Sequence, residues 1–231
     1  MPDRQDAHDV LRRGRIAQLE GRHEEALRDL VWFHHNALKH DRALYGVRLS
    51  FALGYWKELA DAYPPARRAL DATKKEACRV LLESGGSRDL FHEVVAINRE
   101  LGERGQTYRF FVSLRKKYPD LAKSYGYLAI DDMVHARDFK LASQHLPHPE
   151  EYLLWLSDRL NHDLASSPPK VAKMRSEAYI SNYCHDVEKA LEILRGLGNS
   201  PAAIAALEWA IALVEPKAAR LAVGKRLLVT S

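Results

Sequence analysis

Apolar residues recur every three or four positions along most of this chain, and this period predicts helices almost throughout. The first predicted helix carries Val10, Leu11, Gly14, Ala17 and Leu19 on its inner stripe and ends at Gly21. The next stripe comprises Ala26, Leu27, Leu30, Val31, Phe33 and Leu38. Sustained apolar–polar alternation, which is typical of half-buried strands, is nearly absent. The sequence therefore predicts an all-α fold.

Glycine and proline residues interrupt the helical pattern at intervals that suit helices of ordinary length. The breakers are Gly54, Pro64-Pro65, Gly85-Gly86, Gly102, Pro119, Pro147, Pro149, Pro168-Pro169, the segment 196–201 and Pro216. Several of the prolines suit the first turn of a helix, where a missing N–H would have no partner anyway. Ser200 and Asp120 are predicted helix-start residues.

Four short segments of similar pattern begin at Gly21, Gly54, Gly105 and Arg137, and each is predicted to be a turn between helices. Two of the three intervals between them are close to the helix–turn–helix repeat length of ~34 residues. The longer interval contains Pro64-Pro65, which would end one helix early and start another. The spacing therefore predicts repeated helix pairs.

Residues 11–30, LRRGRIAQLEGRHEEALRDL, resemble a tetratricopeptide (TPR) repeat. Gly14 stands at the position of close helix contact, Gly21 at the turn and Ala26 at the facing small position. Residues 97–120, which end in Tyr118-Pro119-Asp120, resemble a second repeat. The resemblance covers residues 5–146, with further helices after residue 147. It implies one domain over residues 1–231, an α-solenoid of antiparallel helix pairs.

In TPR proteins the first helix of each pair lines a ligand groove, so the resemblance implies a protein- or peptide-binding face. The groove positions transferred by alignment are Arg15, Gln18, Arg48, Phe51, Asp131 and His135. Arg15 and Arg48 would form a basic ladder suited to an acidic peptide or a C-terminal carboxylate. The family's clamp of Lys and Asn residues is not matched, which argues against a chaperone tail as the ligand.

Composition limits the remaining classes of function. The chain has 231 residues, 46% of them hydrophobic, which is enough for a sizeable core. Its formal charge of +4 comes from 35 basic and 31 acidic residues. Basic clusters at 12–15, 115–117 and 170–175 have acidic neighbours, so solvated helix faces are favoured over a nucleic-acid site.

The sequence also predicts a cytoplasmic protein without membrane association. No apolar segment near the N-terminus suggests a signal peptide, and the longest apolar stretch, 202–214, is too short to span a bilayer. Cys78 and Cys184 are far apart and lack partners at metal-binding spacing, which favours a reducing compartment and core cysteines.

A histidine-rich stretch, which contains His23, His34, His35 and His40, invites a metal-site interpretation. Metal ligands on one helix must share a face, yet adjacent residues are about 100° apart on a helix. No pair among the four has the three- or four-residue spacing of ligands. We therefore interpret these histidines as solvated or packed by their ring edges.

The main enzymatic alternative rests on the dipeptide His-Asp, which occurs at residues 8–9, 40–41, 162–163 and 185–186. All-helical phosphohydrolases of the HD type hold a metal with such a pair. The same-face pairs Asp131/His135 and Asp158/His162 could also supply ligands, although such pairs are ordinary partners on helix surfaces. Motifs for serine nucleophiles, phosphate loops and dinucleotides are absent.

The leading hypothesis is a non-enzymatic module that binds a partner protein or peptide in a concave face. A narrower version is an immunity or chaperone-type partner of an effector. The alternatives are a metal-dependent HD-type phosphohydrolase and a helical-repeat nucleic-acid binder. The leading hypothesis includes no catalytic residue, no metal and no cofactor.

Overall fold

The computed structural model describes residues 6–166 and 172–229, and all regular structure in these ranges is helical. The helices are α1 (Ala7–Leu19), α2 (His23–His40), α3 (Tyr45–Arg48), α4 (Phe51–Ala62), α5 (Pro64–Ser84), α6 (Arg88–Glu100), α7 (Arg104–Lys117), α8 (Pro119–Tyr125), α9 (Ile130–His135), α10 (Phe139–Ser143), α11 (Pro149–Ala165), α12 (Ala172–Gly196), α13 (Ser200–Ala212) and α14 (Lys217–Val229). Short 3-10 turns cover Arg42–Leu44 and Gly126–Ala129. The predicted all-α class is confirmed. None of the helices in these ranges is both long and apolar enough to cross a membrane.

The chain divides into two compact units, Met1–Ala129 and Ile130–Ser231. The TPR-like segment predicted over residues 5–146 extends past the boundary between them. The single domain over residues 1–231 therefore stays a prediction, and each unit is described by itself.

In the first unit, α1, α4 and α6 lie side by side, because α4 contacts both α1 and α6. Each of them also packs against the helix that follows: α1 against α2, α4 against α5 and α6 against α7. One buried cluster contains Ala17, Leu30, Trp56, Leu70 and Ile97, which come from five different helices. The successive helices therefore share one core.

Gly14 lets α1 and α2 approach closely. A Cβ atom added there would lie 3.1 Å from the Cβ of Asp29, which is tighter than an ordinary contact. Ala26, on the facing side of α2, is completely buried. The predicted close contact at Gly14 is confirmed.

The turn between α1 and α2 depends on Gly21, whose φ of 76° is unfavourable for other residues. The Gly21 N–H donates to the Gln18 carbonyl (3.1 Å) and the Arg22 N–H to the Ala17 carbonyl (2.8 Å). This pair of bonds ends a helix in the Schellman manner. The same two bonds and a positive φ recur at Gly102, Arg137 and Gly198. The predicted turns at Gly21 and Arg137 are confirmed.

Two other predicted turns are wrong. Gly54 lies inside α4, where its N–H donates to the Ser50 carbonyl at 2.8 Å. The turn between α3 and α4 lies at Leu49 and Ser50 instead. Gly105 lies in the first turn of α7, and Gly102 makes the joint instead. A glycine within a periodic apolar pattern weakens a helix without ending it, so glycine alone does not locate a joint.

Several helix starts follow the predicted proline rule. Proline occupies the first turn of α5, α8, α11 and α13, whereas Pro169 lies outside the described residues. The prediction of Ser200 as a cap is wrong, because the Asn199 side chain accepts the hydrogen bond from the Ala202 N–H at 3.3 Å. Asp120 lies within the first turn of α8.

In the second unit, α11, α12, α13 and α14 enclose one core, to which Tyr152, Leu156, Val187, Leu207 and Val223 belong. Helices α9 and α10 pack on α12. The Tyr183 hydroxyl in α12 donates to the Ala210 carbonyl in α13 at 2.7 Å, so a polar bond inside the core ties these two helices together.

Candidate functional site

Arg15 and Gln18, both predicted groove residues, meet on the surface of α4. The Arg15 guanidinium forms an ion pair with Glu58 and lies over the ring of Tyr55, 4.4 Å from its centroid. Gln18, one turn further along α1, points its Nε2 at the same Glu58 carboxylate at 3.5 Å. The structure thus brings these two predicted residues together, with two partners from α4 that the alignment does not include.

Phe51 extends this surface. It precedes Tyr55 by four residues and Glu58 by seven, so the three share one face of α4. Phe51 is 67% exposed, which is high for an aromatic ring. We call the surface formed by Arg15, Gln18, Phe51, Tyr55 and Glu58 the α1–α4 face. It combines an exposed ring with a fixed arginine.

Arg48, the other predicted rung of the basic ladder, is not on this surface. It is only 6% exposed, and its Nη1 lies 2.6 Å from Oε2 of Glu93 in α6. The alignment treated Arg48 and Phe51 as neighbours on one helix. Instead, Arg48 ends α3 and Phe51 begins α4, so their side chains point in different directions. The predicted exposure of Arg48 is wrong.

His34 joins this buried ion pair. Its Nε2 lies 3.2 Å from Oε1 of Glu93 and 3.3 Å from Nη1 of Arg48. The ring of His34 also meets the ring of Trp56 edge-on, with centroids 5.5 Å apart. The ring-edge interpretation is therefore confirmed for His34 and the solvated one is wrong. We call His34, Arg48 and Glu93 the buried charge cluster.

The electrostatics of the buried charge cluster keep Glu93 ionised. Burial by itself raises the pKa of Glu93, but the hydrogen bond from His34 and the charge of Arg48 outweigh it and lower this pKa to about 2. The pKa of His35 is lowered by burial and by the neighbouring charge of His34. Glu93 is therefore a fixed anion at neutral pH, and not a proton donor.

Two polar atoms of the cluster, His34 Nδ1 and Arg48 Nε, are buried without a hydrogen-bond partner among the described residues. Each such atom costs about 1–3 kcal/mol. The ion pairs and the packing around them must offset this cost. Because α2, α3 and α6 each contribute one member, the cluster fixes these helices relative to one another.

A second polar group connects α3 to α6 nearby. The Tyr45 hydroxyl lies 2.9 Å from Nδ1 of His92 and donates to Asp89 at 3.3 Å. Burial raises the pKa of Tyr45 to about 12 and lowers the pKa of His92. Tyr45 thus remains a neutral hydrogen-bond donor at neutral pH.

The last two predicted groove residues lie in the second unit. Asp131 is half-buried, with Nζ of Lys189 at 2.6 Å and Nε2 of His185 at 3.6 Å. Burial raises the pKa of Asp131, but Lys189 and His185 lower it below its ordinary value. His135 is exposed at the end of α9. The Asp131 carboxylate therefore pairs with two residues of α12 and does not face solvent without a partner.

The metal hypothesis finds no support in the described ranges. No group of three or more His, Cys, Asp or Glu side chains in 6–166 and 172–229 could hold a metal ion. Asp131/His135 and Asp158/His162 therefore do not converge on a ligand set there. In the His-Asp dipeptides, Asp41 caps a 3-10 turn by accepting from the Ala43 N–H.

Neither cysteine is a reactive thiolate. Burial raises the pKa of both Cys78 and Cys184 to about 11. Cys184 is buried in the core of the second unit, as predicted, whereas Cys78 is only partly buried. The adjacent Cys184 and His185 do not form a nucleophile pair, because Cys184 is buried in the core whereas the His185 side chain is 60% exposed.

The arginines of the basic cluster at 12–15 are paired with carboxylates. Arg12 pairs with Asp9 at 2.7 Å, and Arg13 binds both carboxylate oxygens of the buried Asp29. The Lys117 ammonium donates to a backbone carbonyl, that of Leu82. The cluster at 170–175 lies partly outside the described residues.

Three residues of the α1–α4 face and the buried charge cluster were missed by the sequence analysis. Glu58 and Tyr55 belong to no recognisable motif. Their role is visible only in the structure, where α4 packs beside α1 and both residues contact Arg15. Glu93 did leave a signal, because it interrupts an apolar stripe between Phe91, Val94 and Ile97. A charged residue in such a stripe is rarely buried without a partner.

Comparison of the chain with protein-family models, with curated proteins and with solved structures gives no match.

Proposed function

We propose that this chain is a non-enzymatic, TPR-like helical-repeat protein that binds a partner protein through the α1–α4 face. The observation that carries the proposal is the exposed ring of Phe51 on the same helix face as Tyr55, which lies under Arg15. Aromatic residues and arginine contribute most of the energy at protein interfaces.

The α1–α4 face is also fixed in position before any partner arrives. Arg15 is held by Glu58 and Tyr55, so little side-chain entropy remains to be lost on binding. Beneath it, the edge-on contact of His34 with Trp56 connects the buried charge cluster to the inner side of α4. A fixed surface favours recognition of a folded partner or a short segment of defined shape.

The solenoid architecture is part of the same proposal. Its support is the close contact at Gly14, the shared joint geometry at Gly21 and Gly102, and the row formed by α1, α4 and α6. In such an array the first helices of the pairs present a continuous binding surface.

The preferred ligand differs from the acidic peptide that a basic ladder would bind. Arg48 is neutralised by Glu93 and Arg15 by Glu58. A complementary partner segment therefore places an apolar side chain against Phe51, with hydrogen-bonding groups at the edge near Arg15 and Glu58.

Affinity capture from cells of the source organism, with quantitative mass spectrometry, tests this function. We expect the wild-type chain to enrich a specific protein that Phe51→Ser loses and that Leu154→Ser, an exposed apolar control on α11, retains. Equal enrichment by wild type and Phe51→Ser would contradict the proposal, as would no enrichment over a tag-only control.

A further inference from the structure

The last two helices leave an apolar surface uncovered. Ile211 of α13 packs near Gly224 of α14, so the two helices meet at these positions. Ile204 lies seven residues before Ile211, whereas Leu221 and Leu228 lie three before and four after Gly224. At these spacings Ile204 lies on the same side of α13 as Ile211. Leu221 and Leu228 lie on the same side of α14 as Gly224.

These three side chains are unusually exposed. Ile204 is 58% exposed, Leu221 67% and Leu228 64%. The opposite stripe of α14, which includes Ala219, Val223 and Leu227, enters the core of the second unit. Helix α14 is therefore apolar on two sides, although only one of them is covered in the described structure.

Charged residues flank this surface in a self-complementary way. Helix α13 and the turn after it carry Glu208 and Glu215, while α14 carries Lys217 and Lys225. All four are exposed. Within residues 6–166 and 172–229 none of their side chains forms a hydrogen bond or an ion pair. By contrast, Lys189 of the same unit is paired with two carboxylates. One edge of the surface is thus acidic and the other basic.

We propose that this surface, which we call the α13–α14 face and define by Ile204, Glu208, Lys217, Leu221 and Leu228, binds a second copy of the chain. In a two-fold dimer the same surface meets itself, and an axis parallel to the two helices places the acidic edge of each copy against the basic edge of the other. The three apolar side chains become covered at the centre. This self-association is independent of the partner binding at the α1–α4 face.

The surface is small for a protein–protein interface. Helices of 13 residues are about 20 Å long, and two of them side by side lie at the lower end of specific interfaces. We therefore expect a dimer that forms reversibly in the micromolar range, rather than an obligate one.

Sedimentation equilibrium on the full chain tests the proposal. The dimer fraction should rise with concentration up to about 100 µM, and Leu221→Gln with Leu228→Gln should weaken association at least about tenfold. The matched control is Leu19→Gln, an equally exposed leucine on α1, which should associate as wild type does. Circular dichroism shows whether each variant retains its helices.

A charge exchange identifies the surface directly. One chain carries Glu208→Lys with Glu215→Lys, and the other carries Lys217→Glu with Lys225→Glu. Each should be monomeric alone, and an equimolar mixture should form a heterodimer. A wild-type chain that stays monomeric up to about 100 µM overturns the proposal. So does unchanged association of the leucine variant or a mixture that remains monomeric.

Discussion

Two arginine–glutamate pairs in the first unit have the same chemistry and opposite surroundings. Arg48 and Glu93 are buried, with side chains only 8% and 11% exposed, and His34 completes their cluster. Arg15 and Glu58 lie at the surface, where the Glu58 side chain is 54% exposed and Tyr55 supports the guanidinium.

The difference separates a structural role from a binding role, whereas the sequence analysis placed both arginines in one binding groove. A buried pair costs the desolvation of both charges, so losing one partner is severe, whereas an exposed pair contributes little to stability. Arg48 and Glu93 therefore fix helices, whereas the Arg15–Glu58 pair contributes little to stability and lies at the surface, where its polar edge can contact a partner. Four predictions test this division, in order of expected effect.

The largest effect is expected for Glu93→Gln. This change leaves Arg48 buried without its counter-charge, which costs about 3–5 kcal/mol. Urea unfolding followed by circular dichroism measures the loss. The double variant Arg48→Met with Glu93→Leu removes both charges and should recover much of it, and a double variant no more stable than Glu93→Gln would show that the charges themselves are needed.

Acid should reproduce the loss of Glu93. Its pKa in the fold, about 2, is below the ordinary value of 4.5, so its stabilisation is complete above about pH 4.5 and is lost as the pH falls towards 2. The stabilisation involved is about 3 kcal/mol. Unfolding curves of wild type and Glu93→Gln should converge across this range, and a constant difference between them contradicts the account.

Glu58→Gln should have a much smaller effect on stability. An exposed pair contributes at most about 1 kcal/mol, and salt screens it. We expect the difference from wild type to shrink further at high salt. A loss as large as that of Glu93→Gln would mean that the α1–α4 face is itself a structural contact.

Phe51→Ser should have the smallest effect on stability, within about 0.5 kcal/mol, because the ring is exposed. Thermal unfolding measures this change. The same variant should lose the captured partner, so stability and binding separate at this residue. A strongly destabilised Phe51→Ser would show that the ring packs in the fold.

Much of the fold follows from local patterns. The helical class, the contact at Gly14 and the joint at Gly21 depend on neighbouring residues, which sequence spacing reports well. Gly54 shows the limit of such rules, because buried residues before and after it, such as Leu53 and Trp56, continue the helix through the glycine.

The candidate site was less accessible to sequence reasoning. The break after α3 changes the direction in which Arg48 points, and a shift of one or two residues in helix phase is enough to move a side chain from solvent to core. Glu93 and Glu58 become partners only through contacts between helices far apart in sequence. The spacing of residues within a single helix does not predict such contacts between helices.

Site-specific photo-crosslinking tests the central claim, partner binding at the α1–α4 face, most directly. A benzophenone amino acid at position 51 would sit on that face, and one at the exposed position 68 of α5 serves as the control. In cells of the source organism, we predict a discrete adduct with one protein from position 51 and none from position 68. Adducts of equal yield from both positions, or from position 68 alone, would contradict the claim.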